Sequence, residues 1–137
     1  VMVSDETQAF VYHKETLIGT EGMSLRLICK AEYDIKECGH IKAFWCSQQN
    51  VSEHCPELFD PQKYLTVVNE TLLEGIHLRL RQIDVEIIQL TSADQGNYQC
   101  RAECEINGQT ANGHFKYITV NGICPYVFLF VYFKHFL

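Results

Sequence analysis

The residues of this chain best suited to chemistry are its seven cysteines and six histidines. In two places a thiol stands beside an imidazole, Cys38-Gly39-His40 and His54-Cys55. A tetrahedral zinc site uses such ligands, but draws them from C-x2-C or H-x3-H spacings, and neither spacing occurs here. A cysteine nucleophile needs a free thiol with a lowered pKa. The remaining chemistry is oxidative, the pairing of thiols into disulfides in a compartment outside the cytosol. Two N-glycosylation sequons agree with it, Asn50-Val51-Ser52 and Asn69-Glu70-Thr71, neither with proline in the middle. The expectation is of disulfides, with no metal or cofactor and with the histidines on the surface.

No G-x-S-x-G, H-E-x-x-H or Gly-rich phosphate loop is present. Asp94 is the carboxylate a catalytic reading selects first. A structural role, capping a turn or pairing with Arg79 or Arg81, accounts for it better, and no catalytic residue is assigned. The net charge of −6, from 17 acidic and 11 basic residues, comes without a basic stripe. That sets nucleic acid aside as a partner.

The elements that must position the cysteines can be read from one run, Asp94-Gln95-Gly96-Asn97-Tyr98-Gln99-Cys100. A tyrosine two residues before a half-cystine is the mark of a tyrosine corner in an immunoglobulin sandwich. Gly96 relieves the turn into a strand, the Tyr98 hydroxyl bonds back to upstream backbone, and Cys100 points into the core. The pattern predicts a partner cysteine about seventy residues upstream, a core Trp between the two, and an apolar strand before the corner. Cys29, Trp45, and the series Val85, Ile87 and Leu90 meet all three. A bridge closing so long a loop restricts the unfolded chain by about 4–5 kcal/mol.

Alternation then predicts strands at 8–13 (a first edge), 23–31, 41–47, 64–68 (an edge of the C″ type), 76–82, 85–91, 96–103 and 113–120. A single helical turn is predicted at 91–94, and an Asn-Gly turn at Asn107-Gly108. The fold class is all-β, an immunoglobulin-like sandwich of variable or intermediate type. It has two antiparallel sheets with Greek-key connections and occupies residues 1–120. Residues 121–137 are read as a stalk followed by an apolar, aromatic segment shorter than the ~20 residues a membrane helix needs. That segment is either a membrane span cut short or an unusual hydrophobic tail.

Cys46 follows the inward-facing Trp45 and so faces away from the core, where it can staple its strand to Cys55. The small loop is worth about 2.5–3 kcal/mol. Cys38 and Cys104 fall in regions that meet at one end of a sandwich, and are expected to pair. Cys124 is left over, able to link two chains or to remain a thiol.

Cys38 before the third strand, the Trp45-Cys46 pair, the sequon at Asn50, Cys55, the second sequon at Asn69 and the Asp94–Cys100 corner together resemble the B- and T-lymphocyte attenuator family of the immunoglobulin superfamily. The similarity covers about residues 8–120. It implies a cell-surface, inhibitory lymphocyte co-receptor whose single domain binds a cysteine-rich protein of the TNF-receptor family, the herpesvirus entry mediator. It also implies a contact surface on the N-terminal edge strand and the last strand, here Gln8, His13, Asn112, His114 and Phe115. The family's extra cysteine near its N-terminus has no counterpart at 5–13. A different immune-type or adhesion receptor domain of the superfamily, with another protein ligand, is the second expectation.

Overall fold

The computed structural model describes residues 2–5, 15–48 and 54–122. Nine strands form in chain order: β1 (Met2–Asp5), β2 (Glu15–Thr20), β3 (Leu25–Asp34), β4 (Ile41–Gln48), β5 (Tyr64–Leu72), β6 (Leu78–Ile87), β7 (Gly96–Cys104), β8 (Thr110–Asn112) and β9 (Lys116–Asn121). A four-residue helix α1 (Ile35–Cys38) and a 3-10 turn (Ser92–Asp94) complete the set. One sheet runs β1-β3-β6-β5 and the other β2-β9-β7-β4, with β8 also paired to β7. The inner faces of the two sheets interdigitate, as in an immunoglobulin-like sandwich.

The core follows from alternation. Leu27 and Cys29 of β3, Ile83, Val85 and Ile87 of β6, Trp45 of β4, Tyr98 and Cys100 of β7 and Ile118 of β9 are buried together. The Trp45 Nε1–H donates to the Ile83 carbonyl at 3.1 Å, so the indole crosses the gap between the sheets with its polar atom satisfied. The ammonium of buried Lys116 lies 5.6 Å from the centre of the same ring. A second cluster, of Ala31, Tyr33, Cys38, Ile41, Ala102 and Cys104, closes one end of the sandwich.

All three predicted disulfides are present. Cys29–Cys100 joins the sheets across 71 residues of sequence, Cys38–Cys104 ties the end of α1 to the end of β7, and Cys46–Cys55 closes a short loop. Cys46 turns away from Trp45 as expected, yet it is fully buried. The segment carrying Cys55 folds over it, with the Ser47 N–H bonded to the Pro56 carbonyl and the Leu58 N–H to the Trp45 carbonyl.

The corner also forms. The Tyr98 hydroxyl donates to the Asp94 carbonyl at 2.6 Å, and burial together with the nearby Asp94 charge pushes its pKa upward, so it remains a donor. Gly96 opens β7 at a φ of +151°, backbone that a side chain rarely adopts. The cationic partner of Asp94 is not Arg79 or Arg81. It is Lys63, whose Nζ lies 2.7 Å from Oδ2, while the Thr91 N–H donates to the same oxygen at 2.8 Å. Replacing Lys63 by Met strands a buried carboxylate and is expected to cost about 2 kcal/mol. Asp94→Asn in the Lys63→Met background should recover part of that loss. Denaturant midpoints of the two variants and the parent check both.

Several expectations about strands need correction. The stretch expected as a C″-type edge at 64–68 is the start of β5, which pairs with β6 in the first sheet. Among the described residues nothing between β4 and β5 forms more than an isolated bridge, Cys46 to Glu57, so the variable-type extra strands are not seen there. The strands expected at 76–82 and 85–91 are one, β6. Its inward positions are Arg79, Arg81, Ile83, Val85 and Ile87, which leaves Leu78 and Leu80 on the outer face, opposite to the apparent alternation.

The physical reason lies at the start of β6, where the inner face passes from the apolar core to a polar lock. Arg81 donates to Glu70 at 2.7 Å and to the Ile41 carbonyl at 2.6 Å, and Tyr33 donates to the other Glu70 oxygen. The last strand is also broken, since Gly113, His114 and Phe115 separate β8 from β9. Finally, the sheets are not both antiparallel. β2 runs parallel to β9 over six pairs, from Glu15 opposite Lys116 to Thr20 opposite Asn121. The short helix α1, with Asp34 accepting from the Lys36 N–H as its cap, is an element the alternation did not announce. The first edge strand expected at 8–13 lies outside the described residues.

The polar lock has a pH signature. Burial of Glu70 works against its charge, but the hydrogen bonds from Tyr33 and Arg81 and the nearby arginine charges hold its carboxyl below the ordinary 4.5. Burial and the Glu70 bond push Tyr33 up to about 12. A lowered carboxylate stabilises the fold above its unfolded value, and that stability is lost as pH falls through the folded value. A raised tyrosine acts in the other sense, its contribution complete below 10 and lost as pH rises through about 12. Unfolding free energy measured against pH should fall at both ends. In Glu70→Gln the acid fall should be shallower, with neutral-pH stability lower by less than about 1 kcal/mol because the pair is partly exposed.

Candidate recognition surface

Trp45 and Cys100 face the core, so alternate residues of their strands point to the outer face of the sheet. On β4 these are Lys42 and Phe44, and on β7 Arg101 and Glu103. The register sets Lys42 opposite Glu103 and Phe44 opposite Arg101. On the far side of β7, Thr110 faces Glu103 and Asn112 faces Arg101. The outer face is therefore two cross-strand rows, Lys42–Glu103–Thr110 and Phe44–Arg101–Asn112.

The rows are held in place by local bonds. The Lys42 ammonium lies 5.2 Å from the centre of the Phe44 ring. The Arg101 Nε–H donates to Gln99 at 2.9 Å, and Gln99 donates to the Gly113 carbonyl at 2.9 Å. The Gly113 N–H bonds the Cys100 carbonyl at 2.8 Å, which seats the break between β8 and β9 against β7. A depression of about 290 Å³ lies over the second row, lined by Phe44, Arg101, Ala102, Glu103, Thr110 and Asn112. A neighbouring one of about 380 Å³ is lined by His40, Ile41, Lys42, Glu103, Cys104, Glu105 and Gly108.

The rim beyond β7 is built on the Cys38–Cys104 bridge. The Ile106 N–H donates to the Cys38 carbonyl and the Glu105 N–H to the His40 carbonyl, so the turn after β7 rests on the turn after α1. Gly39 is required there: its φ is +73°, and a Cβ would stand 2.6 Å from the Ile106 side chain. Ile106 itself is 68% exposed. An aromatic ring, charges of both signs, an amide and an exposed aliphatic tip on a disulfide-braced frame make a surface suited to a protein ligand.

Of the expected contact residues, Asn112 ends β8 and lines the smaller depression. His114 is exposed and Phe115 half-buried, both in the break before β9. Gln8 and His13 lie outside the described residues, as do Asn50 and Cys124 with the apolar tail. Asn69 is exposed on β5. Lys42, Phe44, Arg101 and Glu103 were not among the expected contacts. Their signal is the outward parity of strands whose inward parity had already been established.

Among the described residues no three His, Cys, Asp or Glu side chains come together as a metal site, and no helix is long and apolar enough to cross a membrane. The chain matches no family model and no curated protein.

Proposed function

We propose that this chain is the ectodomain of a cell-surface immune receptor, an inhibitory lymphocyte co-receptor that binds a TNF-receptor-family protein through its edge strands. The observation that supports the reading is that no described strand lies on the side of β8 away from β7. That strand pairs only with β7 among the described strands, and Asn112 and His114 stand at its end. A strand paired on one side only accepts an extended segment of a partner through main-chain hydrogen bonds, with flanking side chains adding selectivity. Three disulfides suit a domain working outside the cell. The edge of β9 is covered by β2 over all six pairs, which supports a contact at Asn112, His114 and Phe115 rather than further along β9.

The outer face of β4 and β7 favours a second reading, an immune-type or adhesion receptor domain with a different protein ligand. The two are separated by displaying the chain on cells and probing it with a panel of TNF-receptor-family ectodomains. A ligand on the β8 edge loses about tenfold in affinity or more with His114→Ala, and little with Phe44→Ala. A ligand on the outer face reverses that order. Failure of every panel member while another surface protein binds removes the co-receptor reading.

A further inference from the structure

The longest exposed edge among the described strands is β5, nine residues at the border of the first sheet with no described strand beyond it. Its hydrogen bonding to β6 has a fixed phase. The Ile88 N–H donates to the Lys63 carbonyl and the Leu73 N–H to the Leu78 carbonyl. The odd-numbered residues of β5 are thus the ones bonded to β6, and the backbone groups of Thr66, Val68 and Glu70 point to the open side.

This edge is also apolar: Leu65 is 51% exposed, Val67 53%, Val68 52% and Leu72 68%. A long, exposed, apolar edge is a template for pairing with a second copy, and proteins normally blunt it with charge, proline, a bulge or a cover. No proline interrupts β5, and its one charged side chain, Glu70, is bonded to Tyr33 and Arg81 on the inner face.

The sequon Asn69-Glu70-Thr71 lies within this strand. Glu70 points inward to the polar lock, so alternation turns Asn69 outward, onto the same face as Leu65 and Val67. Val67 is its neighbour two residues away, about 7 Å along the strand, within reach of the first sugars of an N-linked chain.

We propose that Asn69 carries an N-linked glycan whose task is to guard β5, covering the Leu65–Val67 strip and keeping the open edge from pairing with the β5 of a second copy. The sugar is a bulky, hydrated cover on a strand that no proline, free charge or described strand guards. The inference rests on the extracellular placement of the domain in the function proposed above, and not on its ligand.

The test uses the full chain secreted from a glycosylating eukaryotic host. Peptide mapping after enzymatic release of N-glycans reads occupancy at Asn69, and sedimentation over a range of concentrations reads self-association without any ligand. The expected result is an occupied Asn69 in the parent, and at least tenfold tighter self-association in both Asn69→Gln and Thr71→Ala. Adding Val67→Lys to Asn69→Gln should return it to parental behaviour by placing a charge on the edge, whereas Ser52→Ala, which removes the other sequon, should leave association unchanged. An unoccupied Asn69 overturns the inference, and so does a glycan-free variant that associates no more than the parent, or one that Val67→Lys does not rescue. Glycosylation at neither sequon would instead count against the extracellular placement itself.

Discussion

Replacing Cys29 and Cys100 together by alanine is expected to abolish cooperative folding at 37 °C, or leave a domain that unfolds at a small fraction of the parental denaturant concentration. The bridge spans 71 residues, and releasing a loop of that length returns about 4.5 kcal/mol of conformational freedom to the unfolded chain. Both sulfurs are also fully buried, so the truncation leaves unfilled volume between the sheets, adding about 1 kcal/mol or more. Domains of this size hold about 5–15 kcal/mol in total. Guanidinium titrations of the parent, this double variant and a Cys46→Ala/Cys55→Ala variant provide the check. The short loop of the last should cost less, about 2.5–3 kcal/mol. Equal losses would mean that the long bridge acts through strain or packing rather than through the unfolded chain.

The second large effect is expected at Trp45. Truncation to alanine removes the largest fully buried side chain and the hydrogen bond its Nε1–H gives the Ile83 carbonyl. It also takes away the ring beneath the buried Lys116 ammonium. A loss of about 3–5 kcal/mol follows from the cavity alone. Trp45→Phe retains most of the apolar volume and isolates the lost hydrogen bond and ammonium contact, at about 1–2 kcal/mol. The chain has a single Trp, so both variants are compared with the parent by far-ultraviolet circular dichroism rather than by fluorescence. If Trp45→Phe proves as costly as Trp45→Ala, the polar contacts of the indole outweigh its volume.

Much of the architecture was legible because its signals are local or covalent. The corner from Asp94 to Cys100 is a seven-residue pattern, and three cysteine pairs followed from strand parity and from which loops meet at one end. The polar lock was not legible. Tyr33, Glu70 and Arg81 come from three different strands, and their bonds depend on register that no single window contains.

That lock also inverted the reading of β6. At Leu78 and Leu80 the apolar side chains face out while arginines face in, so a rule that places apolar residues inward gives the wrong parity. The partner of Asp94 was missed for a similar reason. Lys63 belongs to the turn before β5, far from the corner in sequence, while Arg79 and Arg81 only looked closer. The outer face of β4 and β7 was legible in principle, since Lys42 and Phe44 alternate with Ala43 and Trp45. The contacts expected instead came from a family resemblance.

The parallel pairing of β2 with β9 gives the domain a mechanical character. β2 stands near the start of the described chain and β9 at its end, side by side and pointing the same way. Tension applied to the two ends pulls them in opposite directions along their common axis, so the six pairs are loaded in shear and must yield together rather than one after another. Once they yield, the Cys29–Cys100 bridge limits how far the chain lengthens, because everything between those cysteines is a closed loop. A domain built this way resists a pull on its two ends, and the part closed between Cys29 and Cys100 gives up no length if its last strand is torn away.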